Sequence, residues 1–234
     1  MTRHPNSQSG NMLIYILGAI FLLGLLIVII KGNFQEGTGI DPEKVVIEVG
    51  QVQKQAAELE RAVGYLIQNG VSESDIRFAH PDANVAYGDI TVNPKNQVFD
   101  TQGGGAEYKL PAANILSTPG MKWEFFAFTH IKDIGTDTAG TRKAELVAVV
   151  PNVTRQFCER INFVNNQVID LTLNTDPTAN GCIYTPGSRF AGTYVTGAGA
   201  NTLDDTLMSK HPAREACVHC QSGGFHYYRV LLGR

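Results

Sequence analysis

Residues 41–70 read DPEKVVIEVGQVQKQAAELERAVGYLIQNG, and their periodicity decides the fold. Val45, Val49, Val52, Ala56, Leu59, Val63 and Leu66 recur at spacings that alternate between four and three. That is one apolar stripe running along a helix, with Lys54, Glu58, Glu60 and Arg61 lying off it. Asp41-Pro42-Glu43 supplies a carboxylate N-cap, proline at the first helical position and an acid in the first turn. Asn69-Gly70 ends the helix, because glycine accepts the left-handed conformation that a helix C-terminus needs. A stripe of this kind serves either a coiled-coil seam or a helix packed on its own domain's sheet. The strand-like segments that follow favour the sheet.

Upstream, residues 31–40 (KGNFQEGTGI) carry three glycines and read as a linker that breaks the helix. Before it stands NMLIYILGAIFLLGLLIVII, residues 11–30, without charge or proline. As a helix this run reaches about 30 Å, the thickness of a bilayer's hydrocarbon core. It is apolar on every face, which a helix of a soluble domain rarely is. Arg3 is the only formal charge of the first ten residues, and Lys31 follows the run, so the charge bias rests on few groups. We read the N-terminus as cytoplasmic and the rest as exported. A cleaved secretory signal requires a shorter apolar region and a small-residue cleavage site, which KGNFQEGTG does not provide. Two options remain: a permanent signal anchor, or a leader cut before the apolar run. The expected organisation is a leader or cytoplasmic tail over 1–10 and a transmembrane or filament-core helix over 11–30. The linker of 31–40 and an exported globular domain over 41–234 follow.

Downstream, Ser72-Glu73-Ser74-Asp75 matches a capping box and predicts one short helix ending near Phe78. Short strand-like segments follow at 89–92, 97–99 and 107–110, with Gly103-Gly104-Gly105 as a turn between two of them. The strongest strand pair is Trp123–Ile131 with Ala144–Val150, both aromatic and β-branched, the second stopped by Pro151. Asn152 or Thr154 then caps a helix over about 155–163, with Phe157, Cys158 and Ile161 on one side. Residues 167–173 read as a strand, 174–214 as long exposed loops, and 225–232 as a terminal strand paired inside the sheet. The fold class is therefore α+β: an apolar helix and an amphipathic helix with a mostly antiparallel sheet and a disulfide-containing C-terminal region.

Cys158, Cys182, Cys217 and Cys220 all fall in the part read as exported, where disulfides persist. Pairing Cys158 with Cys182 would leave Cys217–Cys220 as a local bridge, whereas the crossed pairings tie the loop region to the C-terminal strand. Spacing alone does not choose among the three connectivities. Cys217-Val218-His219-Cys220 also admits a zinc reading with His219, His226 or His211, but the spacings match no standard finger. A thioredoxin-type site needs the motif at a helix start after a strand, and here it precedes a strand. Haem attachment needs histidine where Gln221 stands. Asp133, Asp137, Asp204 and Asp205 are loop acids with calcium-binding chemistry, though such loops are common without metal. His130 sits among aromatics and reads as a structural histidine. Asn152-Val153-Thr154 is a formal glycosylation sequon. The sequence contains no G-x-S-x-G, H-E-x-x-H, Walker or G-x-G-x-x-G motif. No constellation amounts to an active site and no cofactor is expected. The net charge of −3, with basic residues scattered singly, argues against nucleic acid as a partner.

Gly10 followed by Asn11-Met12-Leu13-Ile14-Tyr15 resembles the processing site of type IV pilins and type II secretion pseudopilins. That family has a short leader ending in glycine, then F-T-L-I-E and an apolar helix. The resemblance implies cleavage between Gly10 and Asn11 by a prepilin-type peptidase. It further implies a core helix presenting Met12, Leu13, Ile14, Tyr15, Leu17, Phe21, Leu25 and Ile29, first to the inner membrane and then to neighbouring subunits. The implied protein is a structural filament subunit of a bacterial cell envelope, single-pass in the inner membrane before assembly and extracellular after it. Its partners are further copies or related pilin-like subunits, and its N-terminal helix packs on an antiparallel sheet. Tyr15 departs from the pattern by standing where the family has glutamate, which puts that residue's pairing with a neighbour's N-terminal amine in doubt. The alternative is a signal-anchored envelope binding module that does not polymerise. A third reading, an anchored periplasmic redox protein using Cys217 and Cys220, is weaker than both.

Overall fold

A computed structural model describes residues 15–22, 42–136, 138, 141–167, 175–176, 182–203, 208–220 and 223–234. The chain divides into two units, Met1–Gly39 and Ile40–Arg234. In the first, residues 15–22 are helical, and Tyr15, Leu17 and Phe21 are exposed. Gly10, Asn11, Met12, Leu13, Ile14, Leu25 and Ile29 lie outside the described residues, as does the linker of 31–40. Among the described residues no helix is long and apolar enough to cross a membrane.

The second unit is α+β. Its spine is α1, Pro42–Gln68, about 40 Å long at ~1.5 Å per residue. All seven residues of the predicted stripe are buried, none more than 5% exposed. The helix ends on Gly70 at φ 85°, with Gly70 N donating to Ile67 O and Val71 N to Leu66 O. That pair of bonds satisfies carbonyls the last turn would otherwise leave open.

Six strands form one sheet in the order β3-β5-β6-β2-β1-β4. They are β1 (Glu124–Ile131), β2 (Glu145–Val153), β3 (Thr175–Asp176), β4 (Asn201–Leu203), β5 (Glu215–Cys220) and β6 (Phe225–Leu232). The four central strands are antiparallel, and the two short edge strands join in parallel. The terminal strand β6 lies inside the sheet between β5 and β2, as its composition predicts. Alternation along β1 and β2 divides the core in two. Phe125, Ala127, Leu146, Ala148 and Val150 face α1, whereas Phe126, Phe128, Val147 and Val149 face a second cluster with Ile183, Leu203 and Met208. Because both faces are covered, the strands read as nearly continuous apolar runs.

Helix α2, Arg155–Val164, is capped by Thr154, whose hydroxyl accepts from Phe157 N at 3.3 Å. Phe157, Cys158 and Ile161 are fully buried on its inner side. Asn162 on the same helix mends an edge of the sheet. Its amide donates to Cys217 O at 2.9 Å and its carbonyl accepts from Cys217 N at 2.8 Å, as a neighbouring strand would. β1 is covered on its other side by Phe190 N donating to Phe125 O and Val195 N to Ala127 O.

Five expectations need correction. Pro151 does not stop β2; it sits at a register shift between Val150 and Val153, where a missing N–H leaves no ladder bond broken. Residues 72–75 form no capping box, since Ser72 bonds Ser74 and only a 3-10 turn, Glu73–Asp75, results. The segments at 89–92, 97–99 and 107–110 are not strands. Helix side chains take the backbone of the last, with Glu107 N donating to the Glu58 carboxylate and Glu107 O accepting from Gln55. In the second, Val98 N donates to Arg77 O and Val98 O accepts from Ala106 N. The Gly103–Gly105 turn is present without them; a Cβ at Gly103 would strike the carbonyl of Gln97. Finally, residues 174–214 are not simply exposed loops. Cys182, Ile183, Phe190, Ala200, Leu203, Met208 and Ala213 are buried there, most of them against the sheet face that α1 does not reach. Gln167 is buried but not in a strand, and residues 168–173 lie outside the described ones.

Candidate functional site

Cys217 and Cys220 lie within a strand, β5, rather than before one. Side chains alternate along a strand, so residues three apart point to opposite faces. The two cysteines therefore cannot bridge to each other and each takes a partner from its own side. Cys217 pairs with Cys158 of α2 on the α1 face, with Cα atoms 5.3 Å apart. Cys220 pairs with Cys182 on the opposite face, at 5.8 Å. The crossed connectivity follows from the strand, and all four sulfurs are buried, which removes the motif from exposed redox chemistry.

Cys182, Cys220 and the buried His226 have potential ligand atoms within 4.8 Å of one another. Cys217, His219 and His211 are not part of this group, so the zinc set read from the sequence does not assemble. The set that does assemble is already engaged. Both thiols are in the disulfide, and the His226 ring accepts from Asn152 N through Nδ1 at 3.2 Å. The ring also hydrogen-bonds the Gly223 backbone and lies 5.1 Å from the Tyr184 ring. Burial, reinforced by nearby His219, pushes its pKa down to about 4, so the ring is neutral at pH 7. The cluster is a covalent and hydrogen-bonded fastening of the second face.

A further buried polar group was not anticipated from sequence. Glu124, 4% exposed at the start of β1, receives a two-pronged ion pair from Arg189 at 2.7 and 2.8 Å. Tyr87 donates to it at 2.8 Å and Asn84 at 3.2 Å. Burial and then the glutamate's charge raise the Tyr87 hydroxyl far above the ordinary tyrosine range. Every prong of the carboxylate is used, so Glu124 clasps the 182–190 segment to the sheet. An acid inside the aromatic run Trp123-Glu124-Phe125-Phe126 is the one sequence signal that marks it.

The remaining candidates resolve as structure. His130 is buried in β1 and engaged. Asn152 of the sequon is half-buried at φ 51° in the bulge of β2, and Thr154 is spent as a cap, so neither is displayed for modification. Asp133 occupies a turn at φ 61°, and Asp137, Asp204 and Asp205 lie outside the described residues. On one flank of α1, Glu60 pairs with Arg229 at 2.7 Å and Arg214 at 3.0 Å, and Arg229 pairs with Glu215 at 3.1 Å. Those charges hold the helix to β5 and β6. Comparisons with protein-family models, curated proteins and solved structures return no match.

Proposed function

We propose that the chain is a structural subunit of a pilus-like or pseudopilus filament, held in the inner membrane by residues 11–30 before assembly. It carries no catalytic role in this reading, and its exported domain supplies the filament surface. The observation that carries the reading is the apolar run beginning directly after Gly10, in a chain whose next element is a long helix backed by an antiparallel sheet. The helix at residues 15–22, whose large side chains are exposed, offers an apolar surface for association between copies. Two disulfides suit an oxidising compartment.

The test is the N-terminal residue of the native protein, read by mass spectrometry in membrane and sheared fractions. The expected result is a chain that starts at Asn11 and is recovered from sheared filaments. A chain that keeps residues 2–10 and stays in the membrane would overturn the filament reading. It would favour the second one, a signal-anchored binding module that does not polymerise. Within the filament reading, Tyr15 in place of the family's glutamate marks a minor or atypical component.

A further inference from the structure

At the end of α1 remote from Pro42, five segments meet around an open cleft of about 380 Å³, within the ~300–1,000 Å³ of small-molecule sites. We propose that this cleft binds a neutral saccharide, with Tyr65 as the platform for one sugar ring. Four observations lead there.

Tyr65 is 52% exposed on the last turns of a buried helix, so its ring is offered to the cleft by a rigid backbone. The polar side chains around it are Asn69, Ser72, Asp75, Lys95, Asn96 and Gln102. Asn69 donates to Tyr65 O and Ser72 bonds Ser74, and among the described residues the side chains of the other four have no hydrogen-bonding or ionic partner. Together they present one carboxylate, one ammonium and two amides, a set of donors and acceptors with no net charge. A pyranose has the complementary chemistry. One face of C–H bonds packs against an aromatic ring, and a rim of hydroxyls both donates and accepts.

The balanced charge disfavours phosphate and divalent cations, for which one sign should dominate. The Tyr65, Leu66 and Ile67 carbonyls near the end of α1 are already satisfied by Asn69, Gly70 and Val71. The cleft floor is fixed. Gly103 N donates to Asp100 O and Gly104 N to Gln97 O, and Asn96 O accepts from Arg77 N. A preformed site of this kind costs little ordering on binding. The cleft beside Glu124 is lined by the clasp already described.

The test uses the full chain in a zwitterionic detergent without a sugar headgroup. Saturation-transfer NMR is run with the methyl glycosides of glucose, galactose, mannose and N-acetylglucosamine. At least one should receive transfer at its ring protons, with a Kd on the order of 1 mM. Tyr65→Ala should weaken that binding at least about tenfold, while Tyr65→Phe retains most of it and both variants keep the parent Tm. No transfer from any of the four sugars overturns the proposal. So does transfer that survives Tyr65→Ala, or displacement of the sugar by millimolar inorganic phosphate or calcium. The outcome is independent of polymerisation, because a chain that keeps residues 2–10 would still bind.

Discussion

The two faces of the sheet are covered in opposite ways. On one, α1 lays a continuous stripe from Val45 to Leu66 over Phe125, Leu146, Ala148 and Val150. On the other, no α-helix is present among the described residues, and isolated side chains such as Ile183, Leu203 and Met208 fill the cover. A helix orders its contacts through its own hydrogen bonds, whereas an irregular cover must be held from outside. The second face accordingly carries the Cys182–Cys220 bridge, the bonded His226 and the Arg189–Glu124 clasp. The α1 face has a bridge of its own, Cys158–Cys217, but adds it to a continuous helix, whereas the second face relies on point attachments in place of one.

The sharpest way to break this contrast is to remove the disulfides one at a time. Replacing Cys158 and Cys217 by serine should cost about 4 kcal/mol on the chain-entropy scale, and the Cys182/Cys220 pair only slightly less, since the separations are 59 and 38 residues. The two should differ in where they act. Hydrogen exchange after loss of Cys182–Cys220 should rise over 182–203 and leave α1 protected, and a uniform rise would contradict the point-attachment account. Leu59→Ala should cost roughly 3–4 kcal/mol in denaturant unfolding, because α1 and the sheet beneath leave a cavity that cannot collapse. Ile183→Ala should cost less, since an irregular cover can settle.

Acid should loosen the second face first. His226 titrates near 4 in the folded chain against 6.5 unfolded, so the unfolded state binds the extra proton between those values. Its contribution is complete above pH 6.5 and is lost as pH falls towards 4, at most roughly 3 kcal/mol over that window. His226→Gln should flatten that part of the stability–pH curve, and an unchanged slope would place the titration elsewhere. The smallest effect belongs to Asn162→Leu, which strands the Cys217 N–H and carbonyl and should cost roughly 2 kcal/mol in a thermal melt.

The same contrast separates what was legible in the sequence from what was not. A period of 3.6 over 27 residues is a long signal, and Val45 through Leu66 announce α1 together with its buried side. The β1–β2 pair is legible for the same reason, with a dozen apolar side chains in two short runs. Ile183, Leu203 and Met208 sit at no period, and their burial depends on a surface formed by strands elsewhere in the chain. Cys217 and Cys220 suggest a unit when read as a motif, but read as strand positions they point apart. Pro151 suggests a stop until the register shift beneath it is known. Of the site, the cysteines could be found in advance and their pairing could not. Glu124 and Arg189 are 65 positions apart, and nothing local joins them.

The order of the four cysteines has a consequence for a protein that meets proteases. The bridges interleave, Cys158 to Cys217 and Cys182 to Cys220, so their covalent loops overlap. Any single backbone cut between Cys158 and Cys220 leaves the two fragments joined by at least one bridge. A cut between Cys182 and Cys217 leaves them joined by both. Had the bridges followed one another along the chain, the same cut would have released the C-terminal strands. A nicked copy would therefore migrate as two pieces on a reducing gel and as one without reductant.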